Sequence, residues 1–119
     1  MHYYGTMRQN LIKEVDPIID KMGDHFGTVF SDYTEDELKD AGLNPLEIVI
    51  FRLRCLDVAF EDCDCSIIFK RHREFIKSFR TLKKYGVDPD SIPQYILYME
   101  DVLSSYISGM SRILLQRRK

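Results

Sequence analysis

Residues 45–60, PLEIVIFRLRCLDVAF, are apolar around almost the whole circumference of a helix. Leu46, Ile48, Val49, Ile50, Phe51, Leu53, Cys55, Leu56, Val58, Ala59 and Phe60 leave only Arg52, Arg54 and Asp57 as polar exceptions beyond the first turn, which carries Glu47. A helix without a wet face has to be surrounded by other elements, so this one belongs at the centre of a domain. Its start is well marked: Asn44 can cap, Pro45 suits the first turn, and Glu47 stands at the third position of a capping box. The β-branched run Ile48-Val49-Ile50 would suit a strand, but the caps and the length of about 16 residues favour helix.

The flanking sequence supplies what such a helix needs for burial. Leu11, Val15, Ile18, Ile19, Met22, Phe26, Val29 and Phe30 recur at helical spacings and predict a first helix from about Thr6 to Phe30, capped by Thr6. Pro17 lacks an amide hydrogen and crowds the carbonyl four residues earlier, so a kink, or a restart capped by Asp16, is expected there. Thr34-Glu35-Asp36-Glu37 is a second capping box, and Gly42 offers a left-handed stop after two turns. Ser66 can cap a helix from about Ile67 to Tyr85, with Ile68, His72, Phe75, Ile76, Phe79 and Leu82 on its apolar face and Gly86 at its end. A last helix, capped by Ser91 or Ile92 with Pro93 in its first turn, carries Ile96, Leu97, Met99, Val102, Leu103, Tyr106, Ile107, Met110, Ile113 and Leu114. The expectation is an all-α fold: one compact domain over residues 1–119, a bundle of about five helices around the apolar helix 45–60.

Composition narrows the classes. No apolar run approaches the roughly 18 residues that a bilayer span requires. The first 30 residues carry Glu14, Asp16, Asp20 and Asp24 where a signal peptide would be apolar, which points to the cytoplasm. Cys55, Cys63 and Cys65 are an odd set, two of them too close for easy mutual bridging, so reduced thiols are expected. The net charge of −2 conceals a strong asymmetry. Residues 1–66 hold 14 acidic and 6 basic side chains, whereas residues 67–119 hold 5 acidic and 11 basic.

Most of that positive charge sits on one helix. Lys70, Arg71, Arg73, Lys77, Arg80, Lys83 and Lys84 place seven cations within fifteen residues, opposed only by Glu74. Such a face can meet phosphates or an acidic protein; it can also dock on the acidic half of its own chain, or simply keep the helix solvated. Aromatic residues are not interleaved with the cations, which disfavours base stacking on single strands.

Catalytic and metal signals are weak. Asp62-Cys63-Asp64-Cys65-Ser66 resembles the start of a calcium loop, and its D-x-D also opens the nucleophile motif of haloacid-dehalogenase-like phosphatases. The calcium pattern then needs Gly and Glu where this chain has Ile67 and Arg73, and the phosphatase motif needs a parallel sheet. Cys63, Cys65 and His72 do not have the spacing of a structural zinc site. His72 beside Lys70 and Arg71 resembles histidine phosphotransfer domains, but His72-Arg73-Glu74-Phe75 departs from their exposed His followed by Lys and a small residue. Gly23 and Gly27 form a G-x-x-x-G that suits close helix packing, not a membrane dimer, given Asp20, Asp24 and His25 around it. No P-loop, Rossmann fingerprint, nucleophile elbow or H-E-x-x-H occurs. Neither a cofactor nor a metal is expected, and binding is favoured over catalysis.

Tyr98-Met99-Glu100-Asp101-Val102-Leu103-Ser104-Ser105-Tyr106 resembles the C-terminal helix of the small helical subunit of type III CRISPR effector complexes. The likeness spans nine residues and implies a helix that lines nucleic acid in a ribonucleoprotein; the family's glycine-arginine pair before its later helices has no counterpart. The leading expectation remains a non-enzymatic interaction module that binds a protein partner, or nucleic acid, through Arg73, Lys77, Arg80 and Lys84 on the basic helix. By size alone, phage or mobile-element regulators and assembly subunits are analogous. The competing expectation is a structural subunit or homodimer, joined by Tyr95, Tyr98, Tyr106 and Met110 on the last helix.

Overall fold

The computed structural model describes residues 2–22, 33–62 and 64–117. Among the described residues there are five α-helices, α1 (His2–Lys21), α2 (Glu35–Asp40), α3 (Pro45–Asp62), α4 (Cys65–Lys84) and α5 (Gln94–Arg117), with a 3-10 turn at Pro89–Ser91 before the last. Among the described residues there is no strand, so the all-α bundle holds and Ile48-Val49-Ile50 lies in helix. No helix among them is long and apolar enough to cross a membrane.

α3 is the central element and packs against α1, α4 and α5. Ile48, Val49, Phe51, Leu53, Cys55, Leu56 and Ala59 are all buried, on more than one side of the helix, as its lack of a wet face requires. Its entry is fixed by reciprocal bonds: the Glu47 amide donates to the Asn44 side chain (2.9 Å), and the Asn44 amide donates to the Glu47 carboxylate (3.0 Å). Lys21 at the end of α1 donates to the same Glu47 at 2.7 Å, tying the two helices; burial pulls the Glu47 carboxyl upward, but this hydrogen bond and the one from the Asn44 amide hold it below the usual carboxylate range. The Thr34 box forms as well, with the Glu37 amide donating to the Thr34 hydroxyl at 3.1 Å and the Thr34 amide to the Glu37 carboxylate at 3.0 Å. α2 ends with Gly42 at φ +92°, and Gly86 after α4 stands at φ +74°, the left-handed region that glycine enters without strain.

Three helix starts differ from expectation, and the last of them is α5, which begins at Gln94 because the Pro93 carbonyl, accepting from the Ile96 amide at 3.1 Å, stands at its entrance, so neither Ser91 nor Ile92 caps it. α1 begins at His2 and is continuous across Pro17 to Lys21, so Thr6 and Asp16 lie inside it instead of capping. The reason is the orientation of the proline. Lys13, Asp16 and Pro17 are exposed, so the carbonyl that loses its amide partner faces water, while Leu11, Val15, Ile18, Ile19 and Met22 are buried on the other side. Each such burial contributes about 1.5–3 kcal/mol, and together they outweigh the roughly 3 kcal/mol that an interior proline costs. The expected extension of this helix to Phe30, with Phe26, Val29, the Gly23 and Gly27 pair and His25, lies outside the described residues.

α4 opens two residues earlier than expected, because Asp64, not Ser66, caps it. The Asp64 carboxylate accepts from the Ser66 amide (3.0 Å), the Ile67 amide (3.4 Å) and the Ser66 hydroxyl (2.8 Å). These donors, the hydroxyl foremost, hold its carboxyl below the ordinary range. The second Asp of the D-x-D thus serves as a helix cap between α3 and α4.

Candidate interaction face

The charged side chains of α3 and α4 fall into two groups with opposite surroundings. The first is internal. Arg52 and Arg71 are buried, and Glu74 lies between them: Arg71 Nη1 donates to Glu74 Oε1 at 3.0 Å, and Arg52 Nη1 stands 3.7 Å from Glu74 Oε2. Arg52 Nη2 also donates to the Tyr33 carbonyl at 2.6 Å, clamping the chain ahead of α2 onto α3, where the Tyr33 ring meets Phe51 edge-on. Arg52 Nε and Nη1 find no hydrogen-bond partner among the described residues, so Glu74 is the charge that offsets the burial of this guanidinium. On another side of α3, buried Asp57 accepts from Arg8 Nε (2.9 and 3.0 Å) and Arg54 Nη1 (2.5 Å), and Arg8 pairs further with Glu61. The Tyr4 hydroxyl lies 3.4 Å from Asp57, and burial together with that carboxylate raises the phenol's pKa.

The second group faces outward. Arg73, Lys77, Arg80 and Lys84 are exposed, and at about 100° and 1.5 Å per residue they share an arc of about 60° over about 16 Å of α4. Among the described residues none of the four has a carboxylate within ion-pair distance. The docking of this stripe on the chain's own acidic half, one of the readings open from the sequence, therefore does not occur among them. Glu35 on α2 shares one groove with Lys77, which Glu74 also lines, and another with Lys84. Lys83 is exposed but sits to one side, its ammonium 4.5 Å from the centre of the Phe79 ring. Lys70 is half-buried and lines the groove toward α2 with Tyr33, Arg52 and Glu74.

Arg71 corrects the expectation for this helix. It was expected on the outer basic face, yet it is 6 % exposed and lies with Ile68, Phe75, Phe79 and Leu82 on the inner one. The helical period places position 71 about 20° beyond the edge of the arc that 68, 75 and 82 define, closer to its centre than position 72. What makes a cation tolerable there is Glu74, one turn along the same helix. His72 is correspondingly displaced to the margin. It is half-buried, its Nε2 lies 3.1 Å from Ser104 Oγ on α5, and that hydroxyl lies 3.4 Å from Glu100. Burial lowers the imidazole's pKa below 6.5, with Glu100 acting in the opposite sense.

Of the residues considered for metal binding, Cys65 is exposed at the start of α4, Cys55 is buried in α3 with its thiol pushed up to about 12 by desolvation, and Cys63 lies outside the described residues. Among the described residues no three His, Cys, Asp or Glu side chains are grouped as a metal ion would need. Tyr95, expected in an exposed patch on α5, is buried. Compared with protein-family models, curated proteins and solved structures, the chain matches none, so Tyr98–Tyr106 stands as a local resemblance without a family behind it.

Proposed function

We propose that the protein is a helical interaction module that acts by binding, and that the Arg73, Lys77, Arg80 and Lys84 stripe is its contact with an acidic surface of a partner protein. The observation that carries this reading is the contrast in pairing. Buried Arg52, Arg71 and Asp57 each stand beside an opposite charge, while four cations in register on one exposed face have none among the described residues. Four like charges on one helix repel each other, and a complementary acidic patch would relieve that repulsion and steer association.

An acidic protein is favoured over nucleic acid for two reasons. The chain as a whole is net negative, and α2 with Glu35, Asp36, Glu37 and Asp40 lies beside the stripe, so the extended field of a polyphosphate would be opposed nearby. The stripe also lacks aromatic residues on which bases could stack.

The test is affinity capture from a nuclease-treated lysate of the source cells, with the natural chain and the R73E/K77E/R80E/K84E variant compared at low and high salt. Proteins retained by the natural chain, lost with the variant and released by salt would support the reading. Capture that disappears with nuclease would move the partner to nucleic acid, and equal capture by both chains would remove the stripe from the account.

A further inference from the structure

α5 outruns the core it belongs to. Its last side chain in the buried core is Ile107, yet the helix continues to Arg117, ten residues further. On this extension Ile113, Leu114 and Leu115 are 52 %, 37 % and 62 % exposed, and Tyr106 just before it is 61 % exposed. A helical end of this length is marginal in water without packing, and here its apolar side chains are the ones left wet. Something that covers Tyr106 and Ile113 would stabilise both the helix and the surface.

The pattern of residues on α5 identifies the cover. Tyr98, Val102, Tyr106, Gly109 and Ile113 recur at spacings of 4, 4, 3 and 4 and share one arc of about 80°. None of the five belongs to the fully buried set, and nothing lies within 4 Å of where a Cβ on Gly109 would stand, so another helix can approach closely there. Ser104, which meets His72 on α4, is on the opposite side of α5, so this face is turned away from the basic stripe. Flanking it, Asp101 and Arg112 are eleven residues apart, close to three full turns, and therefore lie on one edge of the helix. Both are exposed, and among the described residues neither has an ion-pair partner in its own chain.

We infer that α5 packs antiparallel against α5 of a second copy of this chain, about a two-fold axis between Tyr106 and Ile107. In that register Ile113 enters between Tyr98 and Val102 of the second copy, Gly109 stands between its Val102 and Tyr106, and Val102 stands between its Gly109 and Ile113. The contacts close on themselves, as a two-fold interface requires. The same register sets Asp101 of each copy against Arg112 of the other, so the two unpaired charges satisfy each other twice. A parallel arrangement about a two-fold axis along the helices would set the Asp101 and Arg112 edges of the two copies on opposite sides of the interface and leave both charges unpaired. Beside Tyr98 and Val102, the groove that Tyr4 on α1 and Phe60 on α3 border is where the extension of the second copy comes to rest. This leaves the α4 stripe of each copy free, so the pairing and the partner contact are independent.

The test is sedimentation velocity on the full chain over about a hundredfold range of concentration, where a mass-action dimer reveals itself. The natural chain is expected to dimerise. Asp101→Arg and Arg112→Asp, each placing two like charges across the interface twice, are expected to weaken the dimer about tenfold or more. The double swap D101R/R112D, which rebuilds both pairs with signs reversed, is expected to restore it to within about threefold of the natural chain. Both positions are exposed, and circular dichroism verifies that each variant is folded. A natural chain that stays monomeric overturns the inference, as does a dimer indifferent to the single swaps or one that the double swap fails to restore.

Discussion

The two arginines Arg71 and Arg73 stand two residues apart on α4 and live in different worlds. Arg71 is enclosed by the core and bonded to Glu74, which also faces Arg52 from α3; Arg73 projects into water with Lys77, Arg80 and Lys84. The difference teaches which charges the fold consumes and which it leaves available. A buried cation must be offset within the molecule, because desolvation without a partner costs several kcal/mol. A cation on a solvated face bears no such requirement, so its lack of a partner does not destabilise the fold and can serve association.

The comparison breaks most visibly at Glu74. Glu74→Gln removes the shared counter-charge of Arg52 and Arg71 and is expected to destabilise the protein by about 3 kcal/mol, measured by urea denaturation. A loss under about 1 kcal/mol would mean that the two guanidinium groups are solvated after all. A smaller effect is expected where the inner and outer groups meet, at His72. Its pKa is lowered by burial, so the unfolded chain binds the proton more readily, and the stability its neutral form contributes is present above pH 6.5 and is lost as pH falls below that value. The melting temperature should therefore decline on acidification from 6.5, before the carboxylates at Glu47 and Asp64 begin to titrate, and His72→Gln should flatten that part of the profile. The smallest effect belongs to the stripe. R73Q/K77Q/R80Q/K84Q is expected to shift stability by less than about 0.5 kcal/mol, with any gain from relieved repulsion confined to low salt.

How much of this was legible from residues alone follows the range of the forces involved. The starts of α2 and α3 were readable because Thr34 with Glu37, and Asn44 with Glu47, complete their bonds within four residues. Gly42 and Gly86 were readable for the same local reason. The centrality of α3 followed from the absence of a wet face. A restart at Asp16 misled, because whether an interior proline breaks a helix depends on which side its orphan carbonyl faces, and packing decides that. Ser66 misled because Asp64, two residues earlier, is the stronger acceptor and took the cap.

For the candidate face, the four outward cations were readable from helical period. Arg71 was readable too, since its position borders the arc of Ile68, Phe75 and Leu82, but judging it by charge instead of by angle assigned it to the surface. The Arg52 to Glu74 contact joins two helices 22 positions apart in the chain, and no local pattern announces such a pair. Tyr95 was unreadable for the same reason: its burial depends on where α1 lies against α5.

The division between consumed and available charge is tested most directly by one matched pair, Arg71→Gln and Arg73→Gln, in equilibrium urea denaturation. Arg71→Gln is expected to lower the free energy of unfolding by about 2 kcal/mol, because it strips a buried charge-assisted bond from Glu74, while Arg73→Gln should leave it within about 0.5 kcal/mol. Equal effects at the two positions would contradict the account.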